Sequence, residues 1–249
     1  MMTQKRRILL KNANNFRDLG GYPVPYDKTT VWGKLFRTET LSYLCDDDWS
    51  ILREINIKLL IDLRGAEEAS ENPVSVPGDF TYRNLPLISS DVTSSRKSAG
   101  SSMLASLIMR YSYIFSHSLK EISAILHAIS SGLDSGGVAF FCSGGKDRTG
   151  MISAILLHLC GVPDDDIIAD YSITRIYDSN PERGVYAKLM STVSDLSGKK
   201  QLPDEMLRSD PETMEDLLKF FHENDILHLL DKHGFSYESQ NELKGKMIE

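Results

Sequence analysis

Two short, unbroken apolar runs punctuate the chain and point at the same place. Residues 58–63 (KLLIDL) form one, ending in the charged Asp62-Leu63-Arg64-Gly65, and residues 138–141 (VAFF) form the other, entered through the turn signal Asp134-Ser135-Gly136-Gly137. Runs of that length between turn residues read as buried strands. Between them, Leu104, Leu107, Ile108, Tyr111, Ile114 and Phe115 fall at helical spacing, and Leu119, Ile122, Ile125, Leu126 and Ile129 repeat the pattern. Strand, helices, strand predicts a parallel α/β sheet whose ligands lie beyond the carboxyl ends of the strands. Arg64 and Cys142 would share that edge.

The pattern continues with a helix over about 148–160 that is apolar nearly all round, stopped by Gly161 and Pro163. Such a helix belongs in the centre of the fold. Asp164, Asp165 and Asp166 suit the first turn of the next helix, where negative charge meets the positive end of the dipole. Residues 15–40 alternate turn residues with short β-like pieces. Residues 181–249 read as amphipathic helices with breaks near Gly198, Pro203, Pro211 and Gly234. The expected fold is a single α/β domain over 1–249, a central, mostly parallel sheet flanked by helices, with about 181–249 as a helical C-terminal extension or lid packed on it. Residues 89–100 (SSDVTSSRKSAG) are the one low-complexity loop.

Charge changes the picture of the ligand. The chain carries 35 acidic and 28 basic residues, a formal net charge of −7, which disfavours nonspecific binding to nucleic acid or anionic lipid. An anionic substrate therefore needs a local basic site. No run approaches a membrane span, and the apolar stretch after Lys5, Arg6 and Arg7 is too short for a signal-peptide core. The three cysteines, Cys45, Cys142 and Cys160, are odd in number and lack a CxxC pair, so neither a disulfide framework nor a zinc knuckle is suggested. A reducing cytoplasm is the expected location, with export after removal of a signal as the alternative.

The candidate chemistry lies in residues 140–150, FFCSGGKDRTG, where five residues separate Cys142 from Arg148 between an apolar strand and an apolar helix. A free thiol with a pKa near 8.5 is only a few per cent ionised at neutral pH. A loop closing onto a helix N-terminus can favour the thiolate, because the amides of residues 143–148 converge and the helix dipole adds positive potential. The same cradle would bind phosphate through Ser143, Gly144, Gly145, Lys146, Thr149 and Gly150. Gly144 and Gly145 would permit the tight bend and the approach of an anion. Arg148 would grip phosphoryl oxygens through its planar fork, and Thr149 would donate its hydroxyl to the Cys142 sulfur. Attack by Cys142 expels an alcohol or phenol, and water then releases inorganic phosphate from the phosphocysteine. The proton donor to the leaving oxygen is, in order of nearness along the chain, Asp147, Asp62 or Asp91, and Asp147 has the alternative role of orienting Lys146 or Arg148. Lys146 suits substrates with more than one phosphate. No cofactor is required. A Walker A loop is excluded, since Asp147 follows Lys146 and Phe140 occupies the earlier glycine position.

CSGGKDRTG resembles the CxxGKDRTG loop of the bacterial protein tyrosine phosphatase family often called tyrosine phosphatase family 3. The resemblance extends to NFRDLGGY at 15–22, DLR at 62–64 and GVPDDDIIADY at 161–171, in the same order, and so covers roughly 15–171. It implies the cysteine-phosphatase fold and activity without metal on phosphotyrosine, and in several members on phosphoserine, phosphothreonine or phosphoinositides. It also implies an acid role for Asp147 and phosphoinositide recognition by Lys146. Phe141 stands where the family usually has His. The alternatives are a catalytically weak phosphate-binding module that recognises phosphorylated partners, and sulfur transfer through a persulfide on Cys142.

Other residues carry plainer readings. Arg64 and Asp62 support the site from the strand end, and Arg17 and Asp18 either border the pocket or form an ion pair bracing the N-terminal turn. Cys160 reads as core, Cys45 as a neighbour of a helix start, and Asp46 to Asp48 as a capped first turn. His127 and His158 fall on helices, where packing accounts for histidine more often than ligation does.

Overall fold

A computed structural model describes residues 4–87, 114–115, 117–177 and 209–249. Four short strands come first: β1 (Arg17–Asp18), β2 (Pro23–Val24), β3 (Lys28–Thr29) and β4 (Leu35–Thr38). They are followed by α1 (Asp46–Glu54), β5 (Ile57–Asp62), α2 (Ala66–Glu71), β6 (Thr81–Asn84), α3 (Leu119–Gly132), β7 (Gly137–Phe141), α4 (Asp147–Cys160), α5 (Asp164–Ser172) and α6 (Thr174–Tyr177). After residue 209 come α7 (Pro211–Asn224), α8 (Ile226–Lys232) and α9 (Tyr237–Met247).

The main sheet has the order β1-β4-β7-β5-β6, parallel except for β1 against β4, while β2 and β3 make a separate two-stranded sheet. The two apolar runs are thus adjacent parallel strands, as their composition requires. Side-chain alternation along β7 divides the core. Val138 and Phe140 join the cluster beneath α3, α4 and the C-terminal helices, whereas Ala139 and Phe141 join Phe16, Trp49 and Leu52 on the other face. Because the parallel strands are in register, Thr38, Phe141, Asp62 and Asn84 align at one edge, and the loop after β7 emerges there.

α4 is buried around almost its whole circumference and ends at Gly161, whose φ of 82° is the left-handed cap the sequence signalled. Asp164 to Asp166 open α5. Pro211 opens α7, and Gly234 separates α8 from α9. α7 packs on α5, α8 on α3, and α9 on both α3 and α4. The chain end pairs with the β2–β3 hairpin, where the Glu249 amide donates to the Thr29 carbonyl at 3.0 Å. The low-complexity loop, the helical pattern at 104–111 and the breaks at Gly198 and Pro203 lie outside the described residues. Among the described residues no helix is long and apolar enough to cross a membrane.

Candidate active site

The loop from Cys142 to Arg148 sits at the carboxyl edge of β7 and runs into the first turn of α4. Its shape is fixed by what its carbonyls touch. The Ser143 carbonyl accepts from the Thr40 amide at 3.1 Å, and the Gly145 carbonyl accepts from Arg37 Nη2 at 2.9 Å and Asn15 Nδ2 at 3.3 Å. These contacts tie the loop to β4 and to the N-terminal segment through its Ser143 and Gly145 carbonyls. Gly145 has φ of +64°, and a Cβ there would lie 2.4 Å from the Thr38 carbonyl oxygen, so this position tolerates no side chain. A Cβ at Gly144 would meet nothing within 4 Å, and one at Gly150 would press on the Tyr171 ring at 3.0 Å. Of the two glycines expected to permit the tight bend, Gly145 is the one the neighbouring backbone requires.

Cys142 is 2 % exposed, at the floor of this bend. Burial would lower the Arg148 pKa, but negative charge on Cys142 is the largest opposing influence, followed by Glu68, and the net shift is upward. Arg148 is held in turn by Glu68 on α2, with Nη1 at 2.6 Å from Oε2 and Nη2 at 3.0 Å from Oε1, while Ser143 Oγ donates to Glu68 Oε1 at 2.9 Å. Burial acts to raise the Glu68 carboxyl, but the hydrogen bonds and charge of Arg148 outweigh it, with help from the Gly65 amide and Ser143, and hold it at about 2. A bidentate pair of this kind fixes the plane of the fork. Sequence reasoning missed Glu68 and the helix that carries it; it is the third residue of α2, and its Oε2 also caps the Gly65 amide at 3.1 Å.

Beneath the loop lies a second, sealed assembly. Asp170 accepts from Arg17 Nε at 2.9 Å, from Arg37 Nη1 at 2.5 Å and from the Tyr22 hydroxyl at 3.1 Å. Burial works to raise its carboxyl, yet the two guanidiniums hold it well below the ordinary range. This assembly explains why the segments 15–22 and 161–171 matter although neither reaches the sulfur. Asn15, Arg17 and Tyr22 come from the first, Asp170 from the second, and Arg37 carries their grip to Gly145.

Arg17 and Asp18 are therefore not paired with each other, contrary to the ion-pair expectation, because adjacent residues of a strand face opposite ways. Asp18 accepts from the amides of Gly20 and Gly33 at 2.8 and 2.7 Å, and burial pushes it up to about 6 despite those bonds. Asp62 and Arg64 hold one another, with Arg64 Nη2 at 2.6 Å from Asp62 Oδ2, and the Tyr82 hydroxyl donates to the same oxygen at 2.8 Å. Both are almost fully buried, so the strand-end pair braces the edge. Phe141 is buried on the far face of the sheet, its ring 5.6 Å from the Arg64 guanidinium. The Thr149 hydroxyl is buried and has no hydrogen-bond partner among the described residues. The expected donation to Cys142 is absent, since a β-branched side chain in a helix has few χ1 positions with which to follow the sulfur. Lys146 is mostly buried with Nζ 3.8 Å from Asp147 Oδ1, and Asp147, at the first helical position, is partly open to solvent. Asp91 lies outside the described residues. Cys160 is core, and Cys45 stands at the start of α1, where Asp48 caps its amide at 3.2 Å.

Comparison with known proteins identifies the family. A family model described as "Tyrosine phosphatase family" matches residues 8–249. A tyrosine-protein phosphatase of Nostoc commune is 35 % identical over 143 residues, covering 57 % of this chain and 48 % of the relative. The triple specificity protein phosphatase PtpB of Mycobacterium tuberculosis is 29 % identical over 201 residues, covering 70 % of each. The chain thus spans about half the length of the first of these relatives. The crystal structure of P. aeruginosa TpbA aligns with a TM-score of 0.41 and 12 % identity, over 83 % of this chain and 89 % of that one.

Proposed function

The chain belongs to the tyrosine phosphatase family, and we propose that it hydrolyses phosphate monoesters through a phosphocysteine on Cys142. The observation that supports this reading is Arg148, held through both terminal nitrogens by Glu68 at the start of the helix that follows the buried Cys142, with the intervening loop anchored through its Ser143 and Gly145 carbonyls. In the proposed reaction the Cys142 thiolate attacks phosphorus while the ester oxygen leaves with a proton from Asp147. Water then attacks the phosphocysteine, Asp147 takes up its proton, and the thiolate departs with inorganic phosphate released. Amides of residues 143–148 and the Arg148 fork meet the equatorial oxygens as charge spreads over them. Glu68 is a positioning residue in this scheme and never touches the phosphoryl group.

Phosphotyrosine is the proposed principal substrate, with phosphoserine, phosphothreonine and phosphoinositides as further ones, the last favoured by Lys146 as a second cation beside the loop. The purified full chain should release phosphate from an aryl phosphate in the presence of chelator, and Cys142→Ser should abolish turnover. Persistent activity in that variant would sink the mechanism. Asp147→Asn should slow alkyl phosphates more than activated aryl phosphates, because only the former need a protonated leaving group. Equal losses would assign Asp147 to shaping the loop through Lys146. Phe141 in place of histidine favours one second reading, a phosphate-binding module. Tight binding of phosphopeptide without turnover by the unmodified chain would select it.

A further inference from the structure

At the opposite end of α4 from the loop, three elements bring together a set of ligand atoms that the phosphatase chemistry does not use. His158 on the last turns of α4, Asp164 at the start of α5 and His222 near the end of α7 each offer one donor atom, and these atoms lie within 4.8 Å of one another. His222 Nε2 is 2.8 Å from Asp164 Oδ2, and the rings of His158 and His222 meet edge to face with centroids 5.2 Å apart. Two imidazoles and one carboxylate are the ligand types of a zinc ion with an open position. A tetrahedral ion with bonds of about 2.0–2.1 Å needs donors roughly 3.3 Å apart, against separations of at most 4.8 Å here.

The surroundings favour a cation. Asp164 and His222 also line an open groove of about 420 Å³ with Asp165, Glu215 and Glu223, against which Lys219 is the one basic residue of the lining. The side chains of His222 and Asp164 are 55 % and 43 % exposed, giving an ion a path from solvent. We propose that this cluster is a zinc site that fastens α7 to the junction of α4 and α5, with a water or a groove carboxylate as fourth ligand. His158 lies ten residues along α4 from Arg148, about 15 Å at 1.5 Å per residue, so the ion takes no part in phosphoryl transfer. Its effect is on the docking of the C-terminal helices.

The test uses the full chain carrying Cys142→Ser, which removes the loop thiol as a competing soft ligand and leaves the phosphatase reading to be judged by its own assay. After chelator treatment the protein is titrated with Co²⁺ and Zn²⁺. One ion should bind per chain, with visible Co²⁺ bands of a tetrahedral site, and saturating Zn²⁺ should raise the unfolding midpoint by about 5 °C. His222→Ala and Asp164→Asn, both at solvent-exposed positions, should each weaken binding by about 10-fold or more and remove the thermal shift. An affinity weaker than about 1 mM would overturn the proposal. So would binding that survives His222→Ala, or an unfolding midpoint indifferent to Zn²⁺.

Discussion

Asp170 meets Arg17 and Arg37 in one ion-paired assembly and Glu68 meets Arg148 in another, so the same two kinds of side chain occur in two settings. In the lower assembly all three side chains are at most 1 % exposed, and both guanidiniums are held by the one Asp170 carboxylate. In the upper one Arg148 is 14 % and Glu68 39 % exposed, so water reaches the pair from the Glu68 side. Solvent access, rather than the chemistry of the pair, separates the sealed scaffold from the proposed reaction site. A sealed pair that loses one member strands a charge in a medium that cannot solvate it, whereas a half-open pair can exchange partners at little cost.

The largest effect is therefore expected from Asp170→Ala, which leaves two buried guanidiniums uncompensated and should cost about 3–5 kcal/mol in denaturant unfolding. A loss below about 1 kcal/mol would erase the distinction between the two assemblies. Next comes Gly145→Ala, where a left-handed backbone and a collision with the Thr38 carbonyl should cost about 1–3 kcal/mol and displace the loop. Turnover should fall much further than stability, and normal kcat in a folded variant would show that the bend is not needed for chemistry.

Glu68→Gln is expected to have the smallest effect on folding and a clear one on rate. Stability should change by no more than about 1 kcal/mol, while kcat/KM for an aryl phosphate drops about 10-fold or more as the fork loses its alignment. The acid limb sharpens the contrast. Because the folded Glu68 carboxyl is held at about 2 against an ordinary 4.5, its contribution is complete above about pH 4.5 and disappears as the pH falls towards 2. Denaturation curves of the parent should steepen across that window, and Glu68→Gln should flatten part of the slope.

Residue spacing made much of this legible. The two apolar runs, the turn before the second and the all-round apolar helix require adjacent parallel strands and a central helix, and the cysteine between them has only the strand edge to occupy. These are local constraints, since periodicity and turn chemistry act within a few residues. Asp170 lies 153 residues from Arg17 along the chain, Glu68 lies 80 from Arg148 and His222 lies 64 from His158. No local pattern encodes such pairings. Sequence alone determined the two central strands, the loop after the second and the residue types proposed to hold a phosphoryl group, but not the edge strand β6. Tertiary packing alone decided which carboxylate is sealed and which faces water, because desolvation depends on everything that surrounds a charge.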